Sequence, residues 1–510
     1  MSRTVDIIGG GPAGLYAARL LKLRDPGLTV TVHERMSGAT QTFGFGVGLT
    51  ESTMRNLAEA DPETADRVRA ASYAGHDLKL KGLDATITLH GARNLAIGRA
   101  TLLEVLGRAA LDAGVDVRSG SEVDASHLRS DVVVAADGVR SATREKHASE
   151  LGVRLDLGRT RFVWCGADFA VGSAFFAAVA RGDGLFVLHA YPYAADRSTF
   201  LIEVDDTTWH AAGLSRFDEQ AAAGETDAAS VAILEDVFAE ELGGRRLLTN
   251  RTRWSRFANL TLERWSTDNV VLLGDAAHTA HYTLGSGTKL ALEDAIALAD
   301  ALTGEATVTA AFAAYEAARR PPVERFKKLA HRSQAWWDTY RMRAGLPAER
   351  LALSYMTRSG NLALGHVAAD QPASVRKALR WLGSGAPENV AGLDDWVLDQ
   401  PFEADGIELA ARSLSRAQLR ASTPAQEISW DHPDAWGEAA DEVVQSLAGG
   451  SIPVLLTGPD TPEGIAARVD LAERLRLTGE RPVGVIIPPE DRSAAATAVA
   501  AGRTDFVVTP

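Results

Sequence analysis

The chain has 510 residues, 46% hydrophobic and 24% charged, with no tract biased enough to suggest disorder. Its 67 acidic residues outweigh 53 basic ones, and the net charge of −14 argues against nucleic-acid binding and against adhesion to anionic membranes, though not against a small anion held by a local basic patch. A single cysteine, Cys165, leaves no disulfide framework or cysteine-based metal site, and no apolar run reaches the length of a membrane span. With no leader-like segment ahead of the first apolar run, a cytoplasmic location is expected.

Val5–Ile8 reads as a short buried strand, followed by Gly9-Gly10-Gly11-Pro12-Ala13-Gly14 and a helix through Leu15, Ala18, Leu20 and Leu21. This is G-x-G-x-x-G in its required context. Gly9 allows the tight turn, Gly11 lets backbone approach a pyrophosphate, and Gly14 permits close helix–strand packing. A second strand, Leu28–Val32, runs into His33-Glu34-Arg35. Glu34 stands about 20 residues past the fingerprint, where an acid meets a ribose hydroxyl.

Met36–Thr50 reads as a glycine-rich loop (Gly38, Gly44, Gly46, Gly48, with Phe43 and Phe45), and Thr50 or Ser52 caps the next helix. Alternation between Asp77 and His90 predicts strands of a separate sheet. Arg99 opens a helix through Leu102 and Leu106, placed either to clamp a phosphate or as a surface arginine. Val115–Val117 and Asp131–Ala136 are further strands. The second ends in Asp137-Gly138, which suits a ligand turn or an ordinary type I turn. Arg161–Phe169, Leu185–Tyr193 and Ser198–Val204 predict an antiparallel sheet, covered by a helix near 228–242.

The apolar run Val270–Leu273 then stops at Gly274-Asp275, and Gly285-Ser286-Gly287-Thr288 opens a helix through Leu290, Leu292, Ala295 and Leu298. An aspartate and a helix N-terminus are thereby brought to one place. After Arg319-Arg320-Pro321-Pro322 a helix is expected to begin, with Arg325, Lys328 and Arg332 on one face and Trp336 continuing it; Arg341 and Arg343 follow. The spacing suits a patch for anionic phosphates or a solvated helix face. The tail predicts strand, helix, strand, helix, strand at Ser451–Leu456, Pro462–Leu477, Val483–Ile487, Arg492–Ala501 and Asp505–Val508.

Three ordered segments, Gly9–Gly14 with Glu34-Arg35, Asp131–Ser141, and Gly274–Gly287, together resemble the class A flavoprotein aromatic hydroxylases, the family of para-hydroxybenzoate hydroxylase. The resemblance covers about residues 3–390. It matches the family's Asp-Gly motif to Asp137-Gly138, its ribityl-holding aspartate to Asp275, and its helix-start arginine to Arg99. The customary proline of the flavin turn is missing from Thr279–Lys289, as in the subgroup acting on CoA thioesters, the salicylyl-CoA 5-hydroxylases and anthraniloyl-CoA monooxygenases. The violacein-pathway hydroxylase is a more distant resemblance.

The fold implied is α/β: a Rossmann-like FAD-binding domain (1–76, 91–155 and 265–305), an inserted antiparallel-sheet substrate domain (77–90 and 156–264), a helical region (306–394) and a small C-terminal α/β unit (395–510). Pro401–Leu409 and Ala500–Val508 resemble the start and end of a reductase barrel similar to old yellow enzyme. The tail is too short for such a barrel, which takes about 250 residues, so a shortened remnant without FMN is expected.

The activity implied is hydroxylation of an aromatic CoA thioester with NADH or NADPH and O2, salicylyl-CoA to gentisyl-CoA through a flavin hydroperoxide, without a metal. An anthraniloyl-CoA, a free aromatic or an indole are the alternative substrates, and a non-hydroxylating electron-transfer flavoprotein is the alternative class. FAD contacts are expected from Gly9, Gly11, Pro12, Ala13, Gly14, Glu34, Arg35, Gly46, Arg99, Asp137, Gly138, Asp275, Gly285, Gly287 and Thr288. His281, Tyr282, His189 and Tyr191 are the catalytic candidates, and Arg325, Lys328 and Arg332 the candidates for CoA phosphates. The partners are the aromatic substrate and O2, with no nucleic acid or membrane, and a homodimer is allowed for.

Overall fold

The computed structural model describes residues 3–37, 45–75, 77–90, 95–220, 225–285, 287–479 and 481–510. Gly38, Phe43, Gly44 and Ser286 lie outside the described residues. The chain divides into two compact units, Met1–Lys79 with Ala92–Gln334, and Leu80–Gly91 with Ala335–Pro510.

The first unit is built on a six-stranded sheet in the order Ser266–Thr267, Val270–Leu272, Val132–Ala135, Thr4–Ile8, Thr29–Glu34, Asp116–Ser119. All neighbours are parallel except the terminal Ser266–Thr267 hairpin. Val132–Ala135 is buried along its whole length, as a strand covered on both faces must be. The helices Pro12–Arg24, Arg99–Asp112 and Gly287–Gly304 pack together on this sheet. Their shared core includes Leu15, Leu20, Leu106, Leu292 and Leu298.

An antiparallel sheet follows, with Leu247–Leu248, Arg154–Ala167, Arg197–Val204, Gly184–Ala194 and Ala174–Arg181 in that order, and Ser255–Thr261 pairs with the first half of Arg154–Ala167. Strand alternation gives this sheet two unlike faces. Val163, Cys165, Ala177, Phe186, Leu188, Phe200, Ile202 and Val204 point to one side and bury Trp209, Leu234 and Phe238 of the covering helices. The other face carries three rungs: Gly166–Thr199–Tyr191, Trp164–Leu201–His189–Phe176, and Phe162–Glu203–Val187–Ala178.

Several sequence expectations are corrected here. A strand, Gly46–Leu49, interrupts the loop expected over Met36–Thr50 and pairs with Leu95–Gly98. The covering helix expected as one piece is two, Ala228–Val237 and Ala239–Leu242, joined at Phe238. The helix expected to start directly after Pro322 starts earlier. Val308–Asp338 is one continuous helix with Pro321 and Pro322 inside it. Two interior prolines cost about 3 kcal/mol each. Against that cost, Phe312, Tyr315, Val323 and Ala330 form one buried stripe on both sides of them. Arg320, next to the prolines, also donates to the carbonyls of Leu262 and Glu263, both at 2.9 Å.

The second unit holds a five-stranded parallel sheet in the order Ser413–Ser415, Phe506–Thr509, Val483–Ile486, Val454–Thr457, Gln426–Ser429, so the first strand lies beside the last. Glu438–Leu447, Pro462–Thr478 and Arg492–Ala500 cover one face. The hairpin Phe402–Ala404/Ile407–Leu409 and the helix Arg416–Ser422 fill the other, packing Phe402, Ile407, Leu409 and Leu419 on Leu455, Ile486 and Phe506. No helix among the described residues is long and apolar enough to cross a membrane, and no group of three or more His, Cys, Asp or Glu side chains there is placed to hold a metal.

Candidate active site

Three strand ends of the parallel sheet meet at the first turn. Gly9 has φ +109°, and a Cβ there would lie 2.3 Å from Ala136 O. A Cβ on Gly14 would lie 2.2 Å from Gly9 O, whereas one on Gly11 meets nothing within 4 Å. Two glycines therefore serve packing, and the third leaves open space above the N-terminus of Pro12–Arg24, whose first N–H groups and dipole favour an anion. Pro12 occupies the first helical turn and Ala13 is buried behind it. Glu34 folds back onto this turn: its carboxylate accepts from Gly10 N at 2.7 Å and Met36 N at 2.8 Å, and Arg35 beside it is exposed.

The second turn follows Val132–Ala135. Asp137 accepts from Thr143 N and Oγ1, each at 3.2 Å, while its buried Oδ1 has no partner among the described residues, and Gly138 has φ +81°. Arg144 links this turn to the third by donating to Ala276 O at 3.1 Å.

The third turn carries Asp275. Its carboxyl is raised above the usual carboxylate range by the surrounding protein mass, against the opposing charges of Arg99 and His278. The side chain is nonetheless open to solvent along the groove. A Cβ on Gly287 would approach Asp275 Oδ1 to 3.9 Å, and Gly285 sits at φ +63°. Thr288 is half-buried in the first turn of the helix beginning there. Arg99 donates its backbone N–H to Phe45 O at 2.7 Å.

The 45–46 segment bridges the groove to the antiparallel sheet. Gly46 N donates to Thr199 Oγ1 at 2.9 Å, and Tyr191 Oη donates to Gly46 O at 2.7 Å. Burial pushes the Tyr191 hydroxyl up to about 12, so it remains a neutral donor. Gly166 and Gly46 let the Phe45 and Tyr193 rings press against backbone, since a Cβ would come within 2.5 and 2.6 Å of them.

A matching model described as an FAD binding domain covers residues 2–330. The chain belongs to the FAD-dependent aromatic hydroxylases. It is 33% identical to the salicyloyl-CoA 5-hydroxylase of a Streptomyces species over 99% of each chain. It is 38% identical to the 3-hydroxy-4-methyl-anthranilyl-[aryl-carrier protein] 5-monooxygenase of Streptosporangium sibiricum, over 72% of this chain and 97% of that one. Among solved structures, 2-methyl-3-hydroxypyridine-5-carboxylic acid oxygenase matches with a TM-score of 0.54 at 20% identity, over 70% of this chain and 96% of that one, a likeness of fold. FAD is the cofactor of this hydroxylase, NAD(P)H its electron donor, and an aromatic compound and O2 its substrates. The open space over Gly11, the unpartnered Asp137 Oδ1 and the accessible Asp275 fit the phosphate and hydroxyl groups of FAD.

Beyond this groove the hydroxylase gathers an aromatic cluster around Tyr282. Its ring lies 5.1 Å from Phe162, 6.1 Å from Trp164, 5.8 Å from Phe257, 4.2 Å from His281 and 6.3 Å from His189. His281 is buried and hydrogen-bonded through Nδ1 to Thr283 Oγ1 at 3.0 Å. Three of the four catalytic candidates, His281, Tyr282 and His189, thus stand together, while the Tyr191 hydroxyl braces Gly46.

Sequence reasoning missed the group that joins them. Glu203, 2% exposed, accepts from the Tyr282 hydroxyl through Oε1 and meets His189 Nε2 at 3.0 Å through Oε2. Burial alone would raise its carboxyl. The charge and hydrogen bond of His189, the charge of His281 and the hydrogen bond from Tyr282 outweigh that and hold it below the usual range. The available signal was an acid in the apolar run Phe200–Val204, but a period-2 reading does not say what it faces.

On the basic helix, Arg325 and Lys328 are exposed and Arg332 is half-buried. Trp336 and Arg343 do not continue that patch. Trp336 is 2% exposed and donates to Ser354 Oγ at 2.9 Å, and Arg343 is 1% exposed and pairs with Glu473 at 2.8 Å. Trp336 lies on the buried side of the helix, whereas Arg343 lies beyond its end at Asp338, after the turn Tyr340–Met342, and a charge so buried requires its partner.

Proposed function

We propose that this hydroxylase acts on an aromatic acyl group carried as a CoA thioester, converting salicylyl-CoA to gentisyl-CoA by hydroxylation para to the ring hydroxyl. The observation that carries this reading is the match to the salicyloyl-CoA 5-hydroxylase over 99% of both chains, tail included. In support, the anthranilyl relative's named substrate is also an aromatic acyl group on a carrier.

When bound, FAD takes electrons from NAD(P)H and delivers one oxygen atom of O2 to the ring. The first-turn N–H groups over Gly11, with Gly9, Pro12, Ala13 and Gly14 shaping the turn, hold the pyrophosphate, and Glu34 with Arg35 the ribose. Asp275 would hold the ribityl chain, with Arg99, Asp137, Gly138 and Gly46 as further contacts, and Gly285, Gly287 and Thr288 would support the ring system. The face bearing Phe162, Trp164 and Phe176 excludes water from the aromatic substrate, and His189, His281 and Tyr282 supply its polar contacts. Arg325, Lys328 and Arg332 attract the CoA phosphates.

A second reading, a hydroxyanthranilyl group on a carrier protein, is favoured by the 38% identity to the enzyme named for that substrate. NAD(P)H oxidation with salicylyl-CoA, anthraniloyl-CoA, free salicylate and a carrier-loaded anthranilyl group separates them. Stimulation by salicylyl-CoA above the rest is the expected result. Stimulation by the carrier-bound group alone selects the second reading, and by the free acid alone refutes both.

A further inference from the structure

We propose that Glu203 is a positioning residue that fixes the proton arrangement of His189 and Tyr282, turning both into hydrogen-bond acceptors toward the aromatic substrate. Glu203 is reached from two sides. His189 lies on the neighbouring strand, diagonally across the ladder, because His189 opposes Leu201 and Glu203 opposes Val187. Tyr282 and His281 come from the flavin-side turn, 79 residues on for the Tyr282 contact. Among the described residues, the titratable groups facing the carboxylate include His189, His281 and Tyr282.

An ionised carboxylate only accepts hydrogen bonds. Each neighbour must then spend its proton on Glu203. Tyr282 gives its O–H to Oε1, so toward any other group the phenol oxygen acts as acceptor. When neutral, His189 gives Nε2–H to Oε2, which fixes the tautomer that carries no proton on Nδ1. This is the orienting role a carboxylate plays toward an imidazole base in hydrolytic triads, reached here on a sheet face.

The arrangement selects a ring that bears an O–H or N–H donor, and it provides for that proton. As oxygen transfer draws electrons from the ring, the substrate O–H bond lengthens and its proton passes to the neutral imidazole. The imidazolium formed is compensated by Glu203, which stays ionised throughout. One proton moves, and no further oxidant or reductant enters. The second half of this account rests on the hydroxylase reading. The first half, the tautomer, does not.

The test uses FAD-loaded protein with 15N-labelled histidine. In the substrate-free enzyme the His189 ring, assigned through the His189→Gln variant, is expected as the Nε2–H tautomer. In Glu203→Leu that preference is lost. A predominantly Nδ1–H ring in the native enzyme, or an unchanged ring in Glu203→Leu, overturns the proposal whether or not any thioester turns over. With salicylyl-CoA, Glu203→Gln is expected to lower kcat roughly 100-fold with KM and FAD content nearly unchanged. The acid limb of the kcat profile should move to lower pH, since the imidazolium loses its counter-charge. Glu203→Asp should recover part of the rate. Full kcat with an unmoved acid limb in Glu203→Gln would refute the role in turnover.

Discussion

Asp294 is fully buried and joins His278 to Arg319. Its Oδ2 lies 2.7 Å from His278 Nε2, and its Oδ1 accepts from Arg319 Nε at 2.8 Å. Glu293 extends the network to Arg319 at 3.1 Å, Lys289 at 2.8 Å and Asn56 at 2.7 Å. The network sits behind the Asp275 turn and ties the helix Gly287–Gly304 to Val308–Asp338. Burial would raise the Asp294 carboxyl, but His278 and Arg319 hold it below its ordinary value. Its contribution to stability is therefore present above the unfolded-state carboxylate range and is lost as pH falls through the lower folded-state value. Asp294→Ala leaves the buried His278 without its anion and Arg319 with Glu293 alone, and is expected to cost about 3 kcal/mol. Thermal unfolding at neutral pH should show a clear drop in Tm, and the gap to the native protein should narrow in acid.

The first-turn glycines make opposite predictions. Gly11→Val meets open space, so the FAD-free protein should keep its Tm within a few degrees, yet the added side chain occupies the ligand's approach and FAD content should fall sharply. Gly14→Ala collides with Gly9 O and should lower both stability, by about 1–3 kcal/mol, and FAD content. Absorbance of the flavin per chain together with apo-protein melting distinguishes the two.

Arg325→Ala combined with Lys328→Ala removes two exposed positive charges from the helix face. The KM for a CoA thioester should rise several-fold, and its dependence on salt should weaken, while kinetics with a free aromatic acid stay the same. Equal effects on both substrates would show that the patch does not meet the CoA phosphates.

Cys165 is buried on the helix-covered face of the antiparallel sheet, and burial pushes its thiol up to about 12. As the chain's single cysteine, it should resist alkylation in the native protein and react at the rate of unfolding. Rapid labelling under native conditions would contradict its placement.

Much of the fold was legible because its signals are local. The glycine fingerprint, Glu34 and the acidic turns at Asp137 and Asp275 are read from short spacings that the parallel sheet then gathers at one edge. The tail strands Val454–Thr457, Val483–Ile486 and Phe506–Thr509 were legible as apolar runs. Ala174–Arg181 was not, because its four alanines blur the alternation, and neither was Gln426–Ser429, three of whose four residues are polar. The prolines at 321 and 322 gave a stop signal that a buried stripe on both sides overrides. Glu203 shows the deeper limit: its partners lie 14 and 79 residues away, and only cross-strand register and the fold of the flavin-side turn bring them to its two oxygens.

The most direct test of the central claim follows one oxygen atom. The FAD-loaded enzyme is supplied with NAD(P)H, salicylyl-CoA and 18O2, and the thioester product is analysed by mass. The account predicts one 18O atom on the ring of a dihydroxylated thioester for each NAD(P)H consumed in coupled turnover. Oxidation of NAD(P)H with all the label recovered in hydrogen peroxide, for salicylyl-CoA and for every other aromatic thioester offered, would contradict it.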